Sequence, residues 1–213
     1  RCQGIRNVSA ADIEQARELG MKIKLLAVGR KTAEGVEVRV HPAMIPATHQ
    51  LAAVGGAMNA VLVVGDAVGE TMFYGAGAGA FPTASAVVGD ILELARPLCR
   101  GERPAPEAKP FERTLPVRAI GDASNRFYIR LTAEDRTEVL AAAVAAFAEA
   151  GVPLSRVDQL AIDGGGRSIA FITERALERD VAAACDALAA LPGVSAAASV
   201  IRIEDVDAWS EGV

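Results

Sequence analysis

Three alternating glycines, Gly75, Gly77 and Gly79, are the residues of this sequence best suited to binding chemistry. A backbone without Cβ atoms approaches a planar ring or a phosphate closely, and the N-terminus of a following helix adds N–H donors and positive potential. Pro82 favours a helix start after the glycines, because its missing N–H is not needed in a first helical turn. The glycines alone favour a simpler role, a tight strand-to-helix connection with positive φ angles.

The histidines and cysteines do not form a metal-binding or redox pattern. His41 precedes a proline at a predicted strand end and His49 lies eight residues further on, a spacing that is not typical of zinc ligands. The three cysteines, Cys2, Cys99 and Cys185, contain no CxxC pair and do not resemble a secreted disulfide framework. We therefore predict no metal site, structural or solvent-exposed roles for both histidines, and a reducing, cytoplasmic environment.

Composition limits the classes of protein to which the chain can belong. Its 213 residues carry 22 basic and 27 acidic side chains, and 51% of them are hydrophobic, which excludes wholesale disorder. The acidic balance, without a run of Lys or Arg, argues against a nucleic acid or an anionic membrane as partner. The longest apolar stretch, residues 139–148, is too short to span a bilayer.

The first predicted element is a helix that begins after Ser9. Ser9 is a typical N-cap, and Asp12, three residues on, is favourable near the positive end of a helix. Gly20 is predicted to end the helix. Its predicted apolar face consists of Ile13, Ala16 and Leu19.

Strands are predicted between this helix and the glycines at 21–28, 36–41, 59–65 and 70–74. In the second of them, three valines alternate with Glu37, Arg39 and His41, which indicates a half-buried strand. Pro42 and Pro46 are predicted to end that strand. A strong helix is predicted after the glycines at 84–96, with Pro97 as its terminator.

A proline-rich stretch of mixed charge divides the sequence. Pro97, Pro104, Pro106 and Pro110 occur in it, which is typical of a linker. The second half of the chain then has the β-α-β-β-α-β order of the ferredoxin-like, split βαβ pattern. Its predicted elements are strand 126–132, helix 135–150, strand 154–163, a glycine turn from Gly164, strand 168–173, helix 178–191 and strand 198–204.

Residues 4–96 resemble the C-terminal part of the catalytic region of homoserine dehydrogenases. The resemblance is carried by GIRNVSAADIEQARELGMKIKLLA from Gly4, HPAMIP from His41, NAVLV from Asn59 and, most specifically, GAGAGAFPTASAVVGDI from Gly75. Residues 126–204 resemble an ACT domain, the small regulatory module appended to many such enzymes. The two resemblances agree in chain order and together cover most of the sequence.

The resemblance implies an NAD(P)-dependent oxidoreductase that interconverts L-homoserine and L-aspartate 4-semialdehyde in threonine, methionine and isoleucine biosynthesis. In this family the glycine turn closes over the nicotinamide end of the cofactor, so we expect Gly79 nearest to it, with Gly75 and Gly77 shaping the turn. The family's Rossmann domain and its catalytic Asp and Lys lie upstream of the matched stretch. We therefore assign no catalytic residue, and we expect a truncated enzyme that is inactive alone and binds no cofactor tightly.

ACT domains bind amino acids in the loop between the first strand and the first helix. The resemblance places the expected effector-binding residues at Asp135, Thr137 and Val139. Thr137 and Glu138 replace the Pro-Gly that is usual in this loop, and a glutamate side chain there would crowd and repel an amino-acid carboxylate. This departure argues against threonine feedback and leaves two roles open, which are binding of another small molecule and holding subunits together.

The predicted fold class is mixed α/β (α+β), with a partial open sheet covered by helices on one face and a ferredoxin-like βαββαβ ACT domain after it. The predicted domains are a catalytic part at 1–97, a linker at 98–124, an ACT domain at 125–206 and a tail at 207–213. We expect a cytoplasmic homo-oligomer that associates through the substrate-domain sheet and the ACT domain and binds amino acids, without a nucleic acid or membrane partner. The alternative is a stand-alone amino-acid-sensing or dimerisation module of ACT type.

Overall fold

The computed structural model describes residues 2–102, 114–162, 166–194, 199–206 and Trp209. The described helices are α1 (Ala10–Glu18), α2 (Gln50–Ala53), α3 (Ala80–Cys99), α4 (Thr137–Glu149) and α5 (Glu178–Ala189), with a short 3₁₀ helix at Ile120–Asp122. The described strands are β1 (Met21–Thr32), β2 (Gly35–Pro46), β3 (Met58–Gly65), β4 (Gly69–Ala76), β5 (Ser124–Glu134), β6 (Leu154–Ile162), β7 (Gly166–Thr173), β8 (Ala176–Leu177) and β9 (Ser199–Ile203).

The chain divides into two compact units. Residues 1–47 and 115–206 form one, which we call the sheet unit, and residues 48–114 and 207–213 form the other, the hairpin unit. This grouping differs from the predicted division into 1–97 and 125–206, because the first two strands join the sheet formed by the last ones. The predicted domain bounds remain a prediction. The central prolines of the predicted linker lie outside the described residues.

The sheet unit is built on one sheet with the strand order β1-β2-β9-β5-β7-β6, and β8 pairs with β5. Neighbouring strands are antiparallel except for β2 and β9, which pair in parallel. From β5 to β9 the elements follow the predicted β-α-β-β-α-β order, with the two-residue strand β8 as an addition. The predicted glycine turn between β6 and β7 lies at residues outside the described ranges.

Both faces of this sheet are covered in part by helices. Alternate residues of β5 point to opposite faces, so that Phe127 and Ile129 pack with α4 and α5 while Tyr128 packs with α1. Phe147 of α4 contacts Phe171 of β7 with ring centroids 4.9 Å apart. The two apolar clusters therefore lie on the two sides of one continuous sheet.

The packing of α1 differs from the predicted apolar face. Ser9 caps the helix as expected, and the Asp12 carboxylate accepts a hydrogen bond from the Ser9 backbone N–H, completing a capping box. Ala16 is buried, but Ile13 is 58% exposed and Asp12 is fully buried. Hydrogen bonds to Asp12, described below, turn the polar side of the first turn towards the sheet.

Strand β2 also differs from its prediction. It continues through Pro42, which pairs with Leu25, and ends at Pro46; the fixed φ of proline fits an extended strand although its donor is lost. The polar face of β2 is the buried one: Glu37, Arg39 and His41 are buried, whereas Val38 is 52% exposed. The alternation thus marks a half-buried strand correctly, but its polar face points inward because those side chains pair with one another.

The hairpin unit contains the antiparallel pair β3 and β4 and the helices α2 and α3. The long helix begins at Ala80, four residues before the predicted start, and Pro97 lies inside it rather than ending it. In α3 no residue is buried. This helix is therefore held by its own backbone hydrogen bonds rather than by burial of its side chains.

Candidate functional site

The glycine turn connects β4 to α3, as the sequence predicts. Gly75 lies at the end of β4 opposite Asn59 of β3, and the Gly77 and Ala78 N–H groups both donate to the Ala57 carbonyl, at 3.2 and 3.3 Å. A Cβ on Gly77 would lie 1.6 Å from Nδ2 of Asn59. Only glycine fits at this position without moving that side chain.

Gly79 is the N-cap of α3 and has φ +117° and ψ 158°, a conformation that favours glycine. Its carbonyl accepts from the Thr83 N–H at 3.2 Å. No side chain caps the N–H groups of the first turn of α3, and Pro82 has no N–H to satisfy. The turn therefore presents backbone donors and bare Cα atoms at an exposed surface, while its cofactor-binding role remains a prediction.

The predicted effector loop lies between β5 and α4 in the sheet unit. Asp135 is exposed and forms an ion pair with Arg167 of β7, and this hydrogen bond holds the pKa of the Asp135 carboxyl below its usual value. Thr137 is the exposed first residue of α4, whereas Val139 is buried in the apolar core. The three predicted residues thus have three different environments, and their effector-binding role stays a prediction.

The loop after α5 lies against the end of β5, next to the predicted effector loop. The Glu134 N–H donates to the Gly193 carbonyl at 2.9 Å, and Ala133 bridges to Val194. Gly193 has φ +78°, and a Cβ there would lie 3.2 Å from the Glu134 carboxyl carbon. The backbone of this loop therefore approaches the β5 end closely, and glycine permits that approach.

A cluster of charged side chains, which the sequence analysis did not identify, lies under β2 and β9. We call it the charged cluster, and its members are Glu37, Arg39, His41, Arg118, Glu178, Arg202 and Glu204. Arg39 donates to both carboxylate oxygens of Glu204, at 2.9 and 3.0 Å, and to Glu37 at 3.1 Å. Arg118 donates to the other oxygen of Glu37 at 2.7 Å.

The second half of the charged cluster is centred on Arg202. It donates through two nitrogens to the two carboxylate oxygens of Glu178 in α5, and through a third to Gln3 at 3.0 Å. Its guanidinium also lies 5.9 Å from the centroid of the Phe127 ring. Asn125 donates to Glu178 at 3.3 Å, so the buried carboxylate accepts from two elements of the sheet.

His41 is the neutral member of the charged cluster. Burial, with the nearby charges of Arg202 and Arg39, lowers its pKa below the usual value, although Pro42 and Glu204 oppose that shift. Its Nε2 accepts from Nε of Arg39 at 3.0 Å, which leaves Nδ1 to donate to the Pro42 carbonyl at 3.0 Å. Of the two roles that the sequence left open for His41, structural or solvent-exposed, its burial and hydrogen bonds favour the structural one.

Asp12 is the centre of a second buried polar group. It accepts from Nε of Arg130 at 2.6 Å, from Ser199 Oγ at 2.8 Å and from the Tyr128 hydroxyl at 3.3 Å. Burial alone would raise the pKa of Asp12, but the hydrogen bonds from Arg130, Ser9 and Ser199 outweigh it and lower that pKa. Burial and the neighbouring Asp12 raise the pKa of Tyr128. The carboxylate therefore fastens α1 to the sheet.

A sequence signal for these buried groups exists in retrospect. Glu37, Arg39 and His41 recur at every second residue in β2, and Arg202 and Glu204 have the same spacing at the end of β9. Two polar strand faces with complementary charges favour pairing between the strands. That pairing becomes visible only when β2 and β9 are recognised as neighbours.

The remaining candidate residues have structural environments. Over the described parts of the chain, no group of three or more His, Cys, Asp or Glu residues is placed to hold a metal ion. His49 caps α2, accepting from the Leu51 N–H at 3.2 Å, and its ring contacts Trp209 at 5.6 Å. All three cysteines are free thiols. No helix among the described residues is long and apolar enough to cross a membrane.

Comparisons with known proteins point to one family. The homoserine dehydrogenase family model matches residues 1–92. A homoserine dehydrogenase of Corynebacterium glutamicum is 42% identical over 95% of this chain and 46% of its own length, and one of Pseudomonas aeruginosa is 37% identical over 96% and 49%. The chain spans about half the length of the curated relatives it matches.

Solved structures agree with these sequence matches. The crystal structure of a homoserine dehydrogenase from Thiobacillus denitrificans superposes with a TM-score of 0.77 at 36% identity and covers 97% of this chain and 48% of that one. A homoserine dehydrogenase from S. aureus gives a TM-score of 0.56 at 29% identity. The specific glycine string lies inside the matched range, at the turn where the resemblance requires it. The chain therefore belongs to the homoserine dehydrogenase family and corresponds to about half the length of such an enzyme.

Proposed function

We propose that the whole protein is an NAD(P)-dependent homoserine dehydrogenase that interconverts L-homoserine and L-aspartate 4-semialdehyde in the cytoplasm. The observation that carries this proposal is the homology over nearly the whole chain, together with the intact turn before α3. When bound, the nicotinamide exchanges a hydride with the carbon that is the aldehyde of one substrate and the alcohol of the other. No catalytic proton-transfer residue is assigned within these 213 residues.

The glycine turn fits a nicotinamide cofactor. Gly77 has no room for a Cβ beside Asn59, Gly79 has a positive φ, and the first turn of α3 has no side-chain cap. These features permit a flat or anionic group to approach the backbone closely and to meet N–H donors. In our proposal Gly79 lies nearest the nicotinamide end, and Gly75 and Gly77 shape the turn.

The activity is tested by measuring homoserine-dependent reduction of NAD⁺ and NADP⁺ by the whole protein. We expect turnover with L-homoserine and none with L-serine or L-threonine, which lack its primary alcohol on a two-carbon side chain. The same assay on the 213-residue chain alone is expected to give no turnover. A whole protein that does not oxidise L-homoserine with either cofactor would contradict the proposal.

We propose that residues 125–206 form an ACT regulatory module. Support comes from the β-α-β-β-α-β order of β5 to β9 and from an apolar core built within these elements. The Asp135 carboxylate is already paired with Arg167, and the carboxylate of Glu138 lies 3.8 Å from Nε of Arg136. Both features argue against a free amino acid held by its carboxylate at this loop.

The second candidate function is an amino-acid sensor of ACT type that acts without the dehydrogenase activity. The observation that favours it is that the sheet unit has its own closed cores. Calorimetric titration of the chain with threonine, methionine, isoleucine and lysine separates the candidates. Heat or a melting shift with one of them would support the sensor, and no response to any of them would eliminate it.

We propose that the protein is a homo-oligomer. The hairpin unit leaves Val61, Phe73 and much of α3 exposed, with Phe81 90% exposed, and soluble proteins rarely leave contiguous apolar surface uncovered. In the sheet unit, β6 is an edge strand whose backbone can accept another strand. Light scattering on the whole protein is expected to give a dimer or larger assembly, and a monomer at micromolar concentration would contradict this proposal.

A further inference from the structure

The junction between β2 and β9 is short for a junction inside a sheet. The two strands pair only at Ala43 with Arg202 and Met44 with Ile203, and the Glu204 N–H donates to the Met44 carbonyl at 2.9 Å. By contrast, β1 and β2 pair along twelve residues. We call this short junction the seam. Its few hydrogen bonds alone do not distinguish strongly between neighbouring registers.

The charged cluster crosses the seam. Arg39 of β2 binds Glu204, which directly follows β9, and Arg202 of β9 binds Glu178 at the start of α5. The exposed fraction of each of these side chains is 4% or less. The Arg39–Glu204 pair joins the two sides of the seam and forms in one register, because a two-residue slip moves β2 by about 6.6 Å, too far for either oxygen of Glu204 to reach Arg39. The Arg202–Glu178 pair joins β9 to α5 and fixes the β9 side of the cluster.

Residues 116–118, which lie outside the sheet, contact the start of β2 and the charged cluster. The Val36 N–H donates to the Pro116 carbonyl and the Arg118 N–H to the Val36 carbonyl, both at 2.9 Å. Gly35, with φ +149°, permits this approach, because a Cβ there would lie 2.3 Å from the Pro116 oxygen. Arg118 then reaches Glu37, which itself binds Arg39. A slip of β2 would break this chain of contacts as well.

Buried ion pairs are poor sources of net stability, because the desolvation of both charges offsets their attraction. Breaking one member of such a pair is nevertheless costly, since the other charge stays buried and unpaired. The best-attested use of buried charges is to select one register over another. An apolar seam of the same size would join the two parts of the sheet without making that selection.

We propose that the charged cluster is a register lock for the seam. It fixes the β1–β2 hairpin to the four-stranded sheet of β9, β5, β7 and β6, so that these parts move as one body. A displacement of β9 then reaches residues 42–46 of β2 directly, without a hinge between them. This inference goes beyond the proposed function and does not depend on it.

Hydrogen exchange measured by mass spectrometry tests the lock on the 213-residue chain. The variants are Arg39→Met, Glu204→Leu and the double variant R39M/E204L, and the control is R175M/D205L, which removes an exposed ion pair between Arg175 and Asp205. In the double variant we expect the melting temperature to recover towards wild type, because no charge is left unpaired. We expect its seam peptides, covering 43–44 and 202–204, to exchange at least about tenfold faster than wild type, with β5 and β7 unchanged.

Each outcome decides the proposal. Wild-type protection of the seam in R39M/E204L would overturn the lock, because the register would then be kept without the charges. A double variant that fails to fold would also overturn it, since the pairs would then supply stability rather than selection. If the single variants do not fold, the double variant decides alone. The control is expected to match wild type at the seam, and faster seam exchange there would count against the lock.

Discussion

The sheet unit buries many of its side chains, whereas the hairpin unit leaves nearly all of its described side chains at least partly exposed. The sheet unit has an apolar cluster on each face and a buried polar group beside each of them. In the hairpin unit the one described residue that is buried is Ala52. Helix α3 and the β3–β4 pair therefore form from local sequence signals with almost no buried side chains, whereas the sheet unit depends on contacts between distant elements.

The largest expected effect contrasts the cores of the two units. Phe147→Ala removes a fully buried ring that packs on Phe171, and we expect a loss of about 4 kcal/mol in the free energy of unfolding. Leu94→Ala in α3 removes an exposed side chain and is expected to change it by less than about 0.5 kcal/mol. Urea unfolding of the 213-residue chain measures both. Equal losses for the two variants would contradict the comparison.

The next effect concerns the buried carboxylate that holds α1. Asp12→Asn removes the charge that Arg130 faces, and we expect a loss of about 3 kcal/mol, because a partly buried guanidinium loses its partner. Glu14→Gln, which breaks the exposed pair with Arg17, is the control and is expected to cost less than about 0.5 kcal/mol. A loss for Asp12→Asn as small as that of the control would mean that Asp12 does not anchor the helix.

The acid sensitivity of Asp12 follows from the same contacts. Because its folded pKa is lowered, the carboxylate stabilises the fold above its unfolded pKa, near 3.9, and this stabilisation is lost as the pH falls through the folded value. The unfolding free energy of wild type is therefore expected to fall more steeply below pH 4 than that of Asp12→Asn. Parallel pH profiles for the two proteins would contradict this assignment.

Helix capping gives a smaller contrast between the units. Ser9→Ala removes the side-chain cap of α1 and is expected to cost about 1 kcal/mol. Ser85→Ala, inside the exposed helix α3, is the matched control and is expected to change the unfolding free energy by less than about 0.5 kcal/mol. Thermal unfolding followed by circular dichroism measures both. If Ser85→Ala lowered the free energy of unfolding as much as Ser9→Ala, the distinction between the capped helix α1 and the exposed helix α3 would be contradicted.

The smallest expected effect is a change in how steeply the free energy of unfolding depends on pH, caused by His41 in the charged cluster. The groups that face His41 are Arg39, Arg202, Glu204 and the Pro42 carbonyl. Because its folded pKa is lowered, the unfolded chain takes up a proton first as the pH falls through about 6.5, and the fold loses stability below that pH. His41→Gln is expected to flatten the profile between pH 7 and pH 5. An unchanged slope in His41→Gln would contradict the assignment.

Much of the fold was predictable from local patterns. The Ser9 cap, the glycine turn before α3 and the order of elements from β5 to β9 follow from cap chemistry, positive-φ glycines and strand alternation, all of which act over a few residues. The ends of α3 and β2 were less predictable. Proline permits a helix or strand to continue when its lost hydrogen bond is tolerated, as at Pro97 and Pro42.

The buried polar groups were not predictable in this way. Whether Glu37 and Arg39 face water or the interior depends on Glu204, 165 residues away from Arg39 in the chain. Asp12 is likewise buried only because Arg130 and Ser199 reach it from distant strands. The alternation of polar and apolar residues in β2 is visible in a single sequence, but the strand that pairs with it is not. Which face of β2 points inward can therefore be inferred only once β9 is known to be its neighbour. The same limit applies to the predicted effector loop, where Val139 belongs to the core.

We propose that the glycine turn before α3 faces the cofactor of a homoserine dehydrogenase. The direct measurement is the KM for NAD(P)⁺ of the whole protein oxidising L-homoserine, in wild type, Gly79→Ala and Gly69→Ala. Both glycines have positive φ, at +117° and +71°, but Gly69 lies at the far end of the β3–β4 pair. We predict a KM raised about tenfold, roughly 1.4 kcal/mol of binding, for Gly79→Ala, and one within about twofold of wild type for Gly69→Ala. Equal effects of the two substitutions, or no homoserine oxidation by wild type, would contradict the claim.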